Sequence, residues 1–161
     1  MNASIPQPGA GAVHLNALPD LSGLDFMRAI VAGRLPNPPI ADLMHFRATE
    51  VTRGTIVFAG APQPDVYNLI QTVHGGYAAT LLDSAMACAV LTMLEAGSSF
   101  TTLEIKINYV RAMTAATGIV SARGEVIQQG RRIATAEGRL TDAEGRLYAF
   151  GTTTCLIVPR E

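Results

Sequence analysis

The sequence predicts an α+β protein in which one antiparallel sheet wraps around one long central helix. Residues 74–94 form a mostly small and apolar run, interrupted by a single acidic residue, Asp83. A run of this length is typical of a helix of several turns, and its nearly uniform apolar character predicts that the helix is buried. Two strand-like segments precede the run and four longer ones follow it, joined by short turns, which favours an antiparallel sheet.

Length and composition indicate one globular domain. At 161 residues, 48% hydrophobic and 16% charged, the chain can bury a substantial core. Residues 21–161 are assigned to this domain, and residues 1–20, rich in Pro, Gly and Ala without periodicity, to a flexible N-terminal arm. A net charge of −1 gives no reason to expect a nucleic acid or an anionic membrane as partner.

The two cysteines are interpreted as free, buried thiols in a reducing compartment. Cys88 lies in the apolar run, and neither Cys88 nor Cys155 has a neighbour at metal-ligand spacing. We therefore expect no metal and no disulfide. The first residues lack the pattern of a signal peptide, and Asp83 argues against a membrane span, so a cytoplasmic location is expected.

The individual elements follow from periodicity and turn residues. A short helix is predicted within residues 21–35, capped by Asp20 or Ser22 and ending near Gly33. Strands are predicted over residues 46–50, 55–59, 101–112, 118–129, 131–141 and 146–158. In the third of these, alternation assigns one face to Leu103, Ile105, Ile107 and Tyr109 and the other face to Thr102, Glu104, Lys106 and Asn108.

Asp83 is the residue of the central run that most strongly indicates chemistry. A carboxylate in an apolar helix loses hydration, so it requires a hydrogen-bond partner or a function. Apolar surroundings also raise the pKa of a carboxyl group and make its carboxylate a usable general base near neutral pH. A structural Asp83, bonded to a nearby N–H or hydroxyl, is the alternative. The neighbouring glycines and small residues favour catalysis.

His74, Gly75 and Gly76 begin the predicted helix. The backbone N–H of Gly75 or Gly76, strengthened by the helix dipole, is a candidate oxyanion hole, although a simple helix-entry turn would also explain both glycines. We interpret His74 as a hydrogen-bonding brace. The sequence has no G-x-S-x-G, GxGxxG or P-loop pattern, which disfavours serine-hydrolase, dinucleotide and nucleoside triphosphate chemistry.

The pattern Asn68-x5-His74-Gly75-Gly76-x6-Asp83, followed by four strands, resembles the hotdog-fold acyl-CoA thioesterases of the phenylacetate-pathway (PaaI-like) type. That group is related to the 4-hydroxybenzoyl-CoA thioesterases. The resemblance covers about residues 43–158 and includes the sequence Tyr109-Val110-Arg111 at the end of a strand. It implies hydrolysis of small, medium or aromatic acyl-CoA thioesters. It also implies a homodimer with shared active sites, which often pairs into a tetramer.

The resemblance also implies a role for each matching residue. Asp83 would orient and activate water or attack the thioester itself, and Gly75 would polarise the thioester carbonyl through its N–H. Asn68 would help to hold that carbonyl, and Thr102 would position the water near the subunit interface. His74 and Gly76 would support these groups without touching the substrate.

The chemistry needs no cofactor beyond the CoA of the substrate, because a thioester already carries a good thiolate leaving group. The CoA phosphates require cations. Arg111, Arg131 and Arg132, at strand ends or turns, are the candidates, although each would also fit a solvated hairpin charge. Two further functions stay open: a hotdog dehydratase or hydratase acting on acyl thioesters, and a non-catalytic acyl-CoA-binding module.

Overall fold

Helix α3, Gly75–Leu91, is the element around which the fold is built. The computed structural model describes Leu15, Leu18 and residues 20–159. In chain order the elements are α1 Gly23–Val31, α2 Pro39–Leu43, β1 Phe46–Thr52, β2 Thr55–Gly60, α3, β3 Ser98–Tyr109, β4 Val120–Gln129, β5 Ile133–Asp142 and β6 Leu147–Pro159. This confirms the predicted α+β class and the predicted order of helix and strands.

The six strands form one antiparallel sheet in the order β1-β2-β4-β5-β6-β3. Strand β3 follows α3 in the chain but crosses to the far edge, where it pairs with β6. The strand boundaries match the predicted ones to within two residues. β3 is the exception, because it begins three residues earlier and ends three residues earlier than expected.

Small residues on the inner face of the sheet allow α3 to pack closely against it. A Cβ on Gly124 of β4 would overlap the backbone carbonyl of Ala85, so at this point the helix touches the strand backbone directly. The neighbouring inner positions Ala122, Ala134 and Ala136 are fully or almost fully buried. Close approach excludes water from the core and gives the helix a fixed position.

Helix α3 is not buried all round, which corrects the sequence-based expectation. One stripe of the helix is only half-buried in this chain, and it consists of Gly76, Ala79, Thr80, Asp83, Ser84 and Cys88. The apolar residues on the remaining faces, such as Leu81, Leu82 and Met86, have no exposed surface. The stripe carries mostly small side chains, which differ little in hydrophobicity from the alanines on the other faces. The sequence pattern therefore did not reveal it.

The predicted alternation of β3 is wrong at its first half because of a β-bulge. The register with β6 shifts between Thr102 and Glu104, which inserts one residue and reverses the faces on either side. Thr102 consequently points to the helix, whereas Leu103 is 56% exposed. Ile105 and Ile107 keep the inner face, as predicted.

The predicted helix within residues 21–35 is α1. Ser22 is its cap, since the Ser22 hydroxyl accepts a hydrogen bond from the Asp25 N–H at 3.1 Å. Gly33 follows the helix in the left-handed conformation, with a φ of 70°. The predicted flexible arm, residues 1–20, lies outside the described residues apart from Leu15, Leu18 and residue 20, and both leucines pack against the core.

Within the described part of the chain, no helix is long and apolar enough to cross a membrane.

Candidate active site

Asp83 and Thr102 form one half of the candidate site. The bulge in β3 turns the Thr102 hydroxyl toward α3, where it donates a hydrogen bond to Asp83 Oδ1 at 3.1 Å. Both residues are half-buried, so the carboxylate is accessible rather than enclosed in the core as the sequence suggested. One oxygen of Asp83 is oriented by Thr102, and the other is available to a water molecule or a substrate.

The start of α3 forms the other half. His74 is the N-cap, and its Nδ1 accepts a hydrogen bond from the Gly76 N–H at 2.8 Å. This bond occupies the Gly76 donor and requires the unprotonated form of Nδ1. The Gly75 N–H has no acceptor among the described residues. Of the two glycines considered from the sequence, only Gly75 is therefore free to donate to a developing oxyanion.

Asn68 organises the loop that leads to α3. Its Oδ1 accepts from the N–H groups of Ile70 at 3.0 Å and Thr72 at 3.2 Å, and its Nδ2 donates to Thr72 Oγ1 at 2.9 Å. The loop returns to the helix through a bridge between Tyr67 and Val73. Among the described residues one hydrogen of the Asn68 amide is left without an acceptor, so a single donor remains for a substrate carbonyl.

Tyr109, which ends β3 in the predicted Tyr109-Val110-Arg111 motif, is a site residue to which the sequence assigned no role. Its hydroxyl donates to the Gly75 carbonyl at 3.1 Å, and its ring lies against the Gly75 backbone. The side chain is 57% exposed. The motif Tyr109-Val110-Arg111 marked this strand end, but its spacing did not predict the contact with Gly75, which lies 34 positions away in the chain.

A cavity of about 370 Å³ extends from Gly75 to Arg111, and we call it the Arg111 cavity. Its remaining lining residues are Val73, Ala78, Tyr109, Val110, Ala112, Met113 and Tyr148. The Arg111 guanidinium lies over the Tyr148 ring, 5.9 Å from the ring centre. This stacking holds an exposed cation at the end of a cavity that begins at the free N–H of α3.

Tyr148 is itself held by a buried carboxylate in the turn between β5 and β6. Its hydroxyl donates to Asp142 Oδ2 at 2.9 Å, and Arg146 Nε donates to the same oxygen at 2.6 Å. Burial alone would raise the pKa of Asp142, but the backbone N–H of Arg146, its guanidinium and the Tyr148 hydroxyl outweigh burial and lower that pKa to about 2. The carboxylate therefore stays charged at neutral pH and fixes the ring beneath Arg111.

Arg131 and Arg132 lie at the opposite end of the sheet from Arg111. The Arg132 carbonyl accepts from the Ile157 N–H at 2.8 Å, beside the start of β3, whereas Arg111 follows the end of β3. At 3.3 Å per residue, the eight steps from Thr101 to Tyr109 span about 26 Å. The structure thus does not bring the three predicted CoA-binding arginines together within one chain.

Gly75 and Asp83 are also too far apart to act on one thioester from the same chain. They lie eight residues apart on α3, which corresponds to about 12 Å along the helix axis. The free N–H of the first turn points away from the helix body, so an oxyanion bound there would lie still farther from Asp83.

The two thiols near Asp83 are poor nucleophiles at neutral pH. Burial of the Cys88 thiol, followed by the Asp83 carboxylate and Cys155, raises its pKa to about 12. Burial also raises the pKa of Cys155. Both cysteines are free; Cys155 is buried as expected, but Cys88 is only half-buried as a residue. Among the described residues no group of His, Cys, Asp and Glu side chains is arranged to hold a metal ion.

A family model described as the thioesterase superfamily matches residues 70–149, which include α3, β3, β4 and β5. No curated protein matches the chain significantly.

Three solved structures illustrate the similarity. A point mutant of the phenylacetic acid degradation protein PaaI from Thermus thermophilus is 31% identical, with a TM-score of 0.66, over 73% of this chain and 97% of that one. A putative thioesterase related to phenylacetic acid degradation, from Ralstonia eutropha, is 26% identical, with a TM-score of 0.73. The match covers 81% of this chain and 98% of that one. A hypothetical thioesterase from Streptococcus pneumoniae, whose structure was determined with coenzyme A, is 24% identical, with a TM-score of 0.65. The match covers 73% of this chain and 88% of that one, and it shows a shared fold.

The fold and the helix-borne site define the class of hotdog-fold thioester hydrolases. This chain belongs to the thioesterase superfamily, and its predicted resemblance to the PaaI-like thioesterases is confirmed. The expectation that the protein is an enzyme is confirmed with it.

Proposed function

We propose that the protein hydrolyses small, medium or aromatic acyl-CoA thioesters by attack of a water molecule that Asp83 activates. The observation that carries this proposal is the pairing of two complementary groups on α3. One is the free N–H of Gly75, which suits an oxyanion, and the other is the carboxylate of Asp83, which Thr102 orients. Together they provide the two functions that thioester hydrolysis needs.

In the proposed reaction Asp83 accepts a proton from water, and the water oxygen forms a bond to the thioester carbonyl carbon. The Gly75 N–H donates to the oxyanion, assisted by the remaining donor of Asn68 and by the dipole of α3. The C–S bond then breaks, and the departing thiolate takes up the proton held by Asp83, so the free acid and CoA are released and the carboxylate is regenerated. Direct attack by Asp83, forming a mixed anhydride that water hydrolyses, would use the same groups.

The functional unit in this proposal is a homodimer, since one chain cannot bring both groups to one carbonyl. Strand β3 is an edge strand with the exposed apolar residues Leu103 and Tyr109, and the exposed Val110 follows it directly. The strand lies beside the half-buried stripe of α3. Antiparallel pairing of two β3 strands would place two α3 helices side by side in opposite directions. Gly75 would then face Asp83 of the partner subunit. We expect two dimers to associate into a tetramer, as the resemblance implies.

The same dimer would assemble the CoA-binding arginines. With β3 strands antiparallel, the start of the partner's β3 lies next to the end of β3 in this chain. The hairpin that carries Arg131 and Arg132 of the partner subunit would thus come to the side of Arg111. The Arg111 cavity would accept part of the CoA moiety, with its phosphates near these cations.

A second cavity, of about 380 Å³, suits the acyl group. It lies on the other side of the α3 start and is lined by Met44, Asp65, Val66, Tyr67, His74, Gly76, Tyr77 and Thr80. Four of these residues, Met44, Val66, Tyr67 and Tyr77, are apolar or aromatic, which favours an apolar or aromatic acyl group. We call it the Thr80 cavity.

The test is release of free thiol from acyl-CoAs from acetyl to decanoyl, benzoyl and phenylacetyl, with wild type and Asp83→Asn side by side. We expect turnover by wild type and a loss of at least ~100-fold in a folded Asp83→Asn variant. Stoichiometric binding of acyl-CoA without thiol release would instead support the binding module. Loss of the enoyl absorbance of crotonyl-CoA without thiol release would support the hydratase.

A further inference from the structure

His45 has a backbone conformation that is uncommon for residues other than glycine. Its φ is 57°, and among the described residues other than glycine only Gln71 shares a positive φ. Such a conformation is strained for a residue with a Cβ, whereas glycine adopts it freely. At this position, between α2 and β1, the strain is accompanied by a specific contact of the His45 side chain.

That contact is a hydrogen bond between the His45 imidazole and a carboxylate across the loop. His45 Nε2 lies 2.9 Å from Asp65 Oδ2, and the two residues are 20 positions apart in the chain. The imidazole is 29% exposed and the Asp65 side chain 60% exposed, so the pair lies at the surface rather than in the core. An exposed pair of this kind contributes little to the stability of a fold.

The loop that Asp65 begins ends at the oxyanion half of the site. The carbonyl of Val66, the next residue, accepts from the His74 N–H at 2.8 Å, and His74 caps α3. Asn68 follows two residues later. The loop is also attached through the Tyr67 hydroxyl, which accepts from the Ala115 N–H at 2.6 Å. The His45–Asp65 pair is a second attachment, to a different segment of the chain.

We propose that the His45–Asp65 pair is a positioning latch, which holds the loop of residues 63–73 so that Asn68 and the Gly75 N–H keep their geometry toward the thioester. The proposal rests on the proposed hydrolase site. It accounts for a strained histidine where glycine would fit without strain. Asp65 also lines the Thr80 cavity, so the latch fixes one wall of the proposed acyl site.

The decisive variant is His45→Gly, which removes the side chain and the backbone strain together. Because strain relief offsets the loss of an exposed hydrogen-bonded pair, we expect the Tm to stay within about 3 °C of wild type. We expect kcat to fall about 10-fold with little change in KM, since the affected groups stabilise the transition state. A purely structural His45 would lower Tm and leave kcat intact.

Asp65 variants complete a double-mutant cycle. Asp65→Ala should lower kcat as His45→Gly does, and the double variant should lose no more than either one. Asp65→Asn retains the shape and a hydrogen bond to the imidazole, so it should restore most of the activity. Glu95→Ala is the matched control, because it breaks an exposed ion pair with Arg53 at 3.8 Å, remote from the loop.

Amide hydrogen exchange of residues 66–74 separates failure of the latch from failure of the hydrolase proposal. We expect faster exchange in His45→Gly than in wild type, a result that does not depend on turnover. If wild type releases no thiol but the variant exchanges faster, the hydrolase proposal is overturned and the attachment of the loop by His45 is supported. Unchanged exchange together with unchanged kcat would overturn the latch.

Discussion

The Gly75 N–H is the single group on which the proposed chemistry depends most. Its neighbour Gly76 donates to the His74 imidazole, so the histidine selects which of the two glycines is left free. Tyr109 holds the Gly75 carbonyl from the other side. The backbone at Gly75 is thus held by two hydrogen bonds, one to its carbonyl and one from the next N–H. An oxyanion hole requires donors that are fixed in this way before the reaction.

Gly75→Pro should remove this donor while preserving the helix. Proline is favoured at the first helical position, and His74 already has the extended conformation, φ −61° and ψ 138°, that a residue before proline adopts. We expect kcat to fall by about 10²–10³-fold with helix content unchanged, measured by thiol release and circular dichroism.

Gly75→Ala is the control for added bulk. Its Cβ would lie 3.2–3.4 Å from the Tyr109 ring, a contact that a small movement of this exposed ring relieves, and the N–H is retained. Equal losses in the alanine and proline variants would show that bulk, rather than the missing N–H, causes the effect.

At the scale of elements, the bulge in β3 shows where sequence patterns stop being informative. Alternation correctly identified a strand and placed Ile105 and Ile107 on one face, which proves to be the inner one. It placed Thr102 on the opposite face from these residues, because a bulge is defined by pairing with β6 and has no signature in the periodicity of β3 itself. That one inserted residue is what brings Thr102 to Asp83.

The turn between β5 and β6 gives a prediction about acid stability. The pKa of Asp142 is lowered from 3.8 to about 2, so the unfolded chain takes up a proton before the folded one does. The stabilisation by Asp142 is therefore complete above about pH 4 and is lost as the pH falls to about 2. We expect Asp142→Asn to lower Tm by several degrees at pH 7, with the difference from wild type shrinking toward pH 2.

Thermal melts of both proteins between pH 2 and pH 7 measure this difference. Glu144→Gln, which changes an exposed partner of the same arginine, should have a much smaller effect. A difference in Tm between Asp142→Asn and wild type that stays constant over the whole range would contradict the assignment.

At the scale of the whole molecule, the proposed mechanism requires two chains to combine their halves of the site. One chain carries Gly75, Asn68 and Arg111 at one end of the α3 face and Asp83 and Thr102 about 12 Å further along it. Two-fold symmetry would convert this separation into two identical composite sites. The half-buried face of α3 and the exposed apolar residues of β3 are the surfaces available for that pairing.

Mixing two inactive variants tests this arrangement. Asp83→Asn and Gly75→Pro chains, unfolded together and refolded, would form hybrid dimers in which one site has Gly75 and Asp83 both intact. With random pairing we expect about one quarter of wild-type activity to return. Each variant refolded alone is the control. No recovery in a mixture shown by mass spectrometry to contain hybrids would exclude a site shared between subunits.

The sequence by itself determined the α+β class, the central helix, the strand order along the chain and the motif from Asn68 to Asp83. These features depend on local periodicity, turn residues and short spacings, and each of these signals involves only residues that are close together in the chain. Only the tertiary structure decided that β3 lies at the sheet edge, that its bulge presents Thr102, and that His74 occupies Gly76 and leaves Gly75 free. It also decided that His45 meets Asp65, and that Arg111 lies far from Arg131 and Arg132. Each of these depends on register or packing between segments distant in the chain, which local patterns do not encode.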